Sequence, residues 1–334
     1  MSLYPGLDRP KGPLYNKIWI GVFFALTFLG IFTVYIASDS VEYVWRWNRV
    51  PQYFYYNQTV EVHAEIAGDI VSVVDSGDDQ EITVTGSDGT EMYLLPKGAL
   101  LLDDGDYVYV GDLLGSYKEW RMGLLLEGLL ITLEVSLYAI VLGISLGLLA
   151  GLARISDNPC LKWGAITYIE IIRGSPLLVQ LFLWYFVLGT LINALLAKAG
   201  LGQVDALWFG VISLAIFTGA YTAEIVRAGI QSVRIGQMEA ARSLGMTYNQ
   251  AMIKVVLPQA FKRILPPLAG QFISLVKDSS LLGVISIREL TKATREVVTS
   301  SLQPFEFWIV CAVLYLVLTF ALSMFVQYLE RRAV

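Results

Sequence analysis

The sequence predicts a helical polytopic membrane protein with about six transmembrane helices and a small all-β domain inserted after the first of them. Mean hydropathy is +0.59, and only 16% of the 334 residues are charged, which is too few for an ordinary soluble protein of this length. Apolar runs of about 20 residues are long enough to cross about 30 Å of hydrocarbon as helices. The predicted spans are residues 18–37, 135–153, 174–197, 206–223, 264–287 and 307–329.

Charge in the connections predicts the orientation. Residues 227–263 hold six basic side chains and a single acid, Glu239, whereas residues 39–119 hold 16 acids and four bases. Cytoplasmic connections carry the excess of Lys and Arg. We therefore expect both termini in the cytoplasm and the insert outside, with this division: N-terminus 1–17, first span 18–37, insert 38–120, and a five-helix core 121–334 that contains a cytoplasmic loop at about 231–258.

The insert reads as a small β domain. Apolar and polar residues alternate with period two in residues 70–74, 81–85 and 107–110, and acidic turns with glycine separate them. Its segment order resembles the sandwich–barrel hybrid fold of lipoyl and biotinyl carriers, without their modified lysine. We therefore expect no prosthetic group here.

Metal and catalytic chemistry are not indicated. His63 is the only histidine, and Cys160 and Cys311 form no CxxC pair. The chain shows no nucleophile with a base and an orienting group, so we expect neither catalytic nor metal residues.

Residues 236–247, GQMEAARSLGMT, are too short and too polar to cross a bilayer. A helix that starts here can end at Gly245 in a left-handed conformation, and Thr247 with Gln250 forms a capping box for a second helix. Considered alone, the pattern also fits an amphipathic helix pair lying on the membrane surface.

The spacing of this segment is more specific. Glu239-Ala240-Ala241, Gly245 six positions after Glu239, Val255 and Leu257-Pro258 resemble the EAA signature of permease subunits of type I ABC importers, with valine where isoleucine is commoner. Residues 168–182, 219–237 and 275–285 look like the polar amino acid uptake branch of that family. The resemblance covers about residues 124–332, so the first span and the insert fall outside it.

The resemblance implies an importer permease of the bacterial inner membrane, with the loop docking on a separate cytoplasmic ATPase that binds ATP and Mg. No Walker A pattern GxxxxGK[ST] occurs in the sequence, so this chain is expected to bind no cofactor and to be no enzyme itself. A second permease copy or a paralogue, an extracytoplasmic solute-binding protein, the lipid membrane and a polar amino acid are the further expected partners, and nucleic acid is not. The coupling residues would be Gly236, Glu239, Ala240, Ala241 and Gly245.

Ionisable residues at membrane depth mark candidate solute pathways or structural pairs. Two acid–base pairs have members three positions apart, Glu170 with Arg173 and Glu224 with Arg227. On a helix, the two charges of such a pair lie on one face and can neutralise each other. Gly174 and Pro176 interrupt the helix beside them. The predicted pathway residues are Glu170, Arg173, Ser175, Pro176, Gln180, Glu224, Lys277, Asp278 and Ser279.

Other functions stay open on the residues alone. An ATP-independent secondary transporter or channel would need no ATPase, but should show inverted repeats or an ion site. A membrane-anchored enzyme would need a nucleophile with a base and an orienting group, which the sequence does not show. An assembly or sensor protein that uses the insert as a receptor would need fewer spans.

Overall fold

The computed structural model describes residues 13–333, so the part of the predicted N-terminal segment before Pro13 lies outside the described residues. The chain forms two compact units, residues 1–47 and residues 48–334. The first unit contains helix α1 (Pro13–Ser40), which includes the predicted span 18–37 and contains an 18-residue stretch with a mean hydropathy of 2.3.

The second unit starts with the β domain. Its six strands make two antiparallel sheets, a ribbon of β1 and β6 and a sheet ordered β4-β3-β2-β5. Ile82 and Val84 point into the core while Thr83 and Thr85 do not, as the period-two pattern predicts. The strands are β1 (Tyr55–His63), β2 (Gly68–Ser76), β3 (Asp79–Gly86), β4 (Gly89–Pro96), β5 (Tyr107–Val108) and β6 (Leu113–Met122).

The rest of the chain is helical. Within the described residues, six helices are long and apolar enough to cross a membrane, α1 and five in this unit, which confirms the predicted number. The helices are α2 (Leu124–Arg154), α3 (Pro159–Arg173), α4 (Leu177–Phe182), α5 (Thr190–Lys198), α6 (Ala206–Gln231), α7 (Ile235–Ser243), α8 (Tyr248–Ala251), α9 (Leu257–Asp278), α10 (Leu290–Ser301) and α11 (Pro304–Ala333).

Several bounds differ from the prediction. Helix α2 starts at Leu124 instead of residue 135, since a helix tolerates Glu127 and Glu134 that a hydropathy criterion excludes. π-helical turns, Leu183–Gly189 and Met252–Val256, join α4 to α5 and α8 to α9 without a break. Helices α3 and α10 are amphipathic, and the sequence did not predict them as separate elements.

Glycines bring α2 and α6 together. A Cβ atom added at Gly143 would lie 3.0 Å from the Cβ of Thr218, and one added at Gly147 would lie 2.4 Å from that of Thr222. Gly151 meets Val226 in the same way. The contacts advance in step along both helices, so α2 and α6 are parallel. Small residues every fourth position allow such close packing in membranes, where no hydrophobic effect draws helices together.

The other spans of the second unit alternate in direction along the chain: the α4–α5 segment and α9 run opposite to α2 and α6, and α11 runs parallel to them. Gly189 of the α4–α5 segment packs on Phe209 near the start of α6, and Gly229 near the end of α6 packs on Ile264 of α9. Phe307 at the start of α11 lies in a buried cluster with Leu125 at the start of α2. The β domain therefore lies at one end of the bundle, here called the insert end, and α7 lies at the opposite end, here called the corner end.

We predict that Gly147→Ala lowers the free energy of unfolding by about 1–3 kcal/mol. The added methyl group clashes with the Thr222 side chain and pushes α2 away from α6. Thermal unfolding in mild detergent measures this. Gly164→Ala on α3, where no atom lies within 4 Å of the added Cβ, is the matched control and should be neutral or stabilising. Equal melting temperatures for both variants would contradict the packing argument.

Candidate functional site

The segment between α7 and α8 forms a sharp corner, as predicted. Gly245 adopts a left-handed conformation with φ +85°, and the Met246 amide donates to the Ala241 carbonyl at 3.2 Å. Thr247 and Gln250 then exchange both hydrogen bonds of a capping box at the start of α8. Helix α7, this turn and α8 together are called the coupling corner below.

The coupling corner has an outer and an inner face. Gly236, Glu239, Ala240 and Gly245 are exposed, and among the described residues the Glu239 carboxylate makes no ion pair. Ala241, predicted as a coupling residue together with Ala240, is 5% exposed and lies on the inner face, so its part in coupling stays a prediction. The physical reason is the helical period, which turns successive residues by about 100° and so gives the two alanines different faces.

The inner face of the coupling corner is bonded to α6 and α9. Gln259 of α9 donates to the Gln237 side chain of α7 at 3.3 Å, and Arg263 of α9 donates to Ser232 at the end of α6. Met238 packs against a buried cluster that includes Val226 and Val256. A load applied to α7 therefore reaches two spans through direct contacts.

A cluster of charges lies near the same end. Glu224 of α6 bonds Arg227 at 2.8 Å, contacts Arg154 at the end of α2, and lies 4.0 Å from Arg173 of α3. Glu170 lies 3.7 Å from Arg154. The Glu224–Arg227 pair is thus confirmed, whereas Glu170 and Arg173 do not neutralise each other, because α3 packs across α2 and α6 and offers each side chain a partner there.

The environment makes Glu224 the centre of this charge cluster. Its side chain is 16% exposed, compared with 64% for Glu170, and it is the shared partner of three guanidinium groups. Arg173 also stacks over the Tyr221 ring at 5.3 Å. A cavity of about 500 Å³ opens beside Glu224 and is lined by Ser232, Arg263 and Pro267 among others.

Gln180 holds the predicted helix break between α3 and α4. Its amide donates to the Ile172 carbonyl at 2.7 Å and to the carbonyl and hydroxyl of Ser175 at 3.1 and 2.9 Å. Pro176 is the N-cap of α4. The carbonyls freed by the break are therefore satisfied locally. Gln180 is 3% exposed, and its place on a solute pathway stays a prediction.

The end of α9 carries Lys277, Asp278 and Ser279, whose side chains point in different directions. Lys277 is exposed, Asp278 is half-buried, and Ser279 is buried with its hydroxyl donating to the Val276 carbonyl at 2.7 Å. Lys277 lies far from the charge cluster, because α9 runs from the corner end towards the insert end. The predicted pathway residues thus occupy two separate regions.

Sequence reasoning missed two residues of the charge cluster region. Arg154 is not among the predicted site residues, although it contacts both Glu224 and Glu170. Tyr168 of α3 donates to the Ile216 carbonyl of α6 at 2.6 Å, and burial raises its pKa to about 12, so the hydroxyl keeps its proton. A basic residue in the last turn of a span was the one available signal for Arg154.

Comparisons with known proteins cover the helical core. Residues 143–334 match the family described as binding-protein-dependent transport system inner membrane component. The probable glutamine ABC transporter permease protein GlnM of Bacillus subtilis is 44% identical over 207 residues, 62% of this chain and 92% of that protein. The glutamine transport system permease protein GlnP of Escherichia coli K12 is 38% identical over 209 residues, 63% of this chain and 92% of that protein.

Solved structures agree with this match. The crystal structure of an amino acid ABC transporter with histidines contains a chain that is 42% identical, with a TM-score of 0.55, over 63% of this chain and 94% of that one. The inward-facing MetNI methionine ABC transporter has a chain that is 21% identical with a TM-score of 0.53, over 63% of this chain and 96% of that one, which shows a shared fold.

We predict that Glu224→Gln destabilises the protein by about 3 kcal/mol, because three guanidinium groups lose their shared partner in a largely buried site. Glu170→Gln is the control and should cost at most about 1 kcal/mol, since its carboxylate is mostly in solvent. Thermal unfolding in detergent gives both values. Adding Arg154→Gln to Glu224→Gln should recover part of the loss, and equal effects of the two single changes would refute the central role of Glu224.

Proposed function

The chain belongs to the family of binding-protein-dependent transport system inner membrane components and is a permease subunit of an amino acid ABC importer, and from this premise we propose how it is coupled to ATP hydrolysis. The coupling corner docks on a separate cytoplasmic ATPase, which binds ATP and Mg. The observation that carries this proposal is the two-sided geometry of the corner: Glu239 and Ala240 face outward, while Gln237 and Met238 bind the inner face to α9 and α6.

The chemistry of the outer face fits a protein partner. Ala240 allows a close approach, and Glu239 offers a carboxylate to a basic groove. Ile235 and Leu244, 76% and 83% exposed, add apolar area at the edges of the corner. Exposed apolar residues beside a charge are typical of interfaces between subunits.

The orientation follows from the charge distribution. The corner end carries the excess of basic residues, so it faces the cytoplasm together with both termini. The insert end then faces outward, and the β domain is extracytoplasmic. Residues 55–122 carry fourteen acidic and three basic side chains, and such acidic segments are translocated without penalty.

The solute is a polar amino acid. The relatives named above are glutamine permeases, and others that match are named for arginine and L-cystine. The charge cluster at the corner end, with Glu170, Arg173 and Glu224, is the inner part of the pathway, where paired charges beside an open cavity supply both donors and acceptors. Lys277 belongs to its outer part.

Further partners complete the transporter. A second permease, either another copy of this chain or a paralogue, forms the pathway together with it, and an extracytoplasmic solute-binding protein delivers the amino acid to the insert end. The ATP-independent transporter or channel is the less favoured function. Such a protein does not dock on an ATPase, so it would not need an exposed corner that contacts two spans on its inner face.

We predict that the tagged chain co-purifies from its native membrane with an ABC ATPase, and that Glu239→Lys reduces the recovered ATPase at least about tenfold, because the reversed charge meets the basic groove. Quantitative mass spectrometry measures the recovery. Glu65→Lys, an equally exposed charge reversal on the β domain, is the control and should leave it unchanged. Full recovery with Glu239→Lys, in a protein that stays monodisperse, would refute the coupling contact.

A further inference from the structure

The β domain is joined to the helical core through a stem whose charge differs from that of the rest of the domain. The stem, residues 48–60 and 117–122, comprises the segment before β1, the first part of β1 and the end of β6. Its charged side chains are Arg49, Lys118, Glu119 and Arg121. Residues 61–116, here called the tip, hold thirteen acidic side chains and one basic side chain, Lys97. An excess of basic charge is thus confined to the part of the domain that adjoins the spans.

The stem starts at the level where the hydrocarbon layer begins. Tyr53 packs edge-on against Phe307 of α11, with 4.8 Å between the ring centroids. The next residue of α11, Trp308, is 42% exposed, as expected for a lipid-facing aromatic side chain at the edge of a span. At about 3.4 Å per strand residue, Asn57, which pairs with Trp120, lies at most about 14 Å from Tyr53. A headgroup layer is about 5–8 Å thick, so the base of the ribbon lies in it, and a ribbon that leans over rests on it along the whole stem.

One face of the ribbon of β1 and β6 is exposed along the whole stem. The antiparallel register places three cross-strand pairs on this face, here called the ribbon face: Tyr55–Met122, Asn57–Trp120 and Thr59–Lys118. All six residues are exposed, and the three large apolar ones, Tyr55, Met122 and Trp120, are 54%, 44% and 69% exposed. On the opposite face, Tyr117 packs against the core of the β domain. The described part of the chain therefore leaves the ribbon face open, and exposed apolar patches of this kind mark contacts with a partner or a membrane.

A cavity of about 780 Å³ lies at the base of the ribbon face. Tyr55, Asn57 and Trp120 line it from the ribbon, and Val50 and Gln52 line it from the segment before β1. Its lining is mostly aromatic and aliphatic, with two side-chain amides among these groups. Such a lining suits the boundary between headgroups and hydrocarbon, where aromatic rings find an apolar medium for the ring and polar partners for its edge.

The basic side chains of the stem differ in whether they are neutralised. Arg121 pairs with Glu119 at 3.2 Å, and the register places both on the face opposite the ribbon face. Lys118 on the ribbon face makes no ion pair among residues 13–333, and neither does the exposed Arg49, which precedes the cavity-lining Val50. Basic side chains near a membrane surface extend to the phosphate groups, and each adds attraction to anionic lipid. The uncompensated charge of the stem is therefore positive, and Lys118 places part of it beside the exposed aromatic residues.

We propose that the ribbon face lies on the bilayer surface and binds an anionic phospholipid, with Lys118 and Arg49 at its phosphate. Tyr55, Trp120 and Met122 then lie in the interfacial layer. The same anionic surface repels the acidic tip, so the charge pattern keeps the tip away from the membrane while the stem rests on it.

The position and the charge of the stem favour lipid over other occupants. A second copy of the domain would bring another acidic tip close to the first, at a Coulomb cost. A soluble phosphate would use the basic side chains alone and leave the aromatic ones exposed. The inference requires only that the stem adjoins the spans. It does not depend on the proposed coupling to an ATPase, and the orientation of the chain decides only which leaflet is bound.

The first test measures the depth of the ribbon face, with the full chain in nanodiscs of phosphatidylglycerol and phosphatidylcholine. Cys160→Ser removes the exposed thiol, Cys311 is buried, and Trp120→Cys then carries an apolar, environment-sensitive fluorophore. A nitroxide on the lipid headgroup should quench this label at least about threefold more strongly than the same label at Met92→Cys. Met92 on the tip is 72% exposed, compared with 69% for Trp120, so it is the matched control.

The second test measures the charge preference by native mass spectrometry of the full chain in mild detergent with both lipids. We expect Lys118→Gln and Arg49→Gln each to lower the ratio of bound phosphatidylglycerol to phosphatidylcholine about fivefold, and the double variant to lower it about 20-fold. Lys97→Gln removes a charge from the tip, where Lys97 pairs with Asp75, and should leave the ratio unchanged. Excess inorganic phosphate should not displace the lipid, because it does not contact the aromatic side chains.

Two results would overturn the inference. One is equal quenching of the labels at positions 120 and 92. The other is an unchanged preference for phosphatidylglycerol in the double variant, in a protein that stays monodisperse, which would leave the ribbon face to a protein partner. Failure of the proposed function is distinct from both, since it would show as the absence of an ATPase from the purified complex while lipid binding is unaffected.

Discussion

The close approach of α2 and α6 is the constraint on which the rest of the helical core depends. Three glycines at intervals of four residues let Thr218, Thr222 and Val226 of α6 pack directly on the α2 backbone. A parallel pair cannot be joined by a short loop, so the chain must cross back between them, and it does so through α3, α4 and α5. Arg154 at the end of α2 is thereby brought to Glu224 of α6. The charge cluster follows from the glycine contacts.

The same pair determines where the β domain can act. Strand β6 leads into α2 through Gly123, whose amide donates to the Phe54 carbonyl at 2.7 Å, and Tyr53 packs edge-on against Phe307 of α11 at 4.8 Å. A Cβ atom at position 123 would lie 2.3 Å from the Tyr53 backbone, so this junction admits only glycine without rearrangement. The segment that enters the domain is therefore fixed to the insert end, where Tyr53 and Phe54 pack in a buried cluster with Leu290 of α10 and Phe307 of α11.

Features with local causes could be predicted from the sequence, and features with distant causes could not. Hydropathy predicted six spans, and the Gly245 turn and the Thr247 capping box were correct because both depend on a few adjacent residues. The predicted pairing of Glu170 with Arg173 was wrong, because the spacing within α3 does not indicate which side chains of α2 and α6 lie nearby. A cavity of about 300 Å³ between α9, α10 and α11 was missed for the same reason. Lys277, Thr291 and Tyr315 are on three helices, and only the fold brings them together.

Helix α9 connects the two ends of the molecule. Its first turns contact the coupling corner through Gln259 and the end of α6 through Arg263, and its last turn carries Lys277 at the insert end. Between them lie Pro266 and Pro267, which remove two backbone hydrogen bonds, so α9 bends most easily about 15 Å from Lys277. A displacement of the corner that travels along α9 must pass this weak point. We therefore expect it to reach the insert end as a change in the direction of the last turns of α9, which carry Lys277.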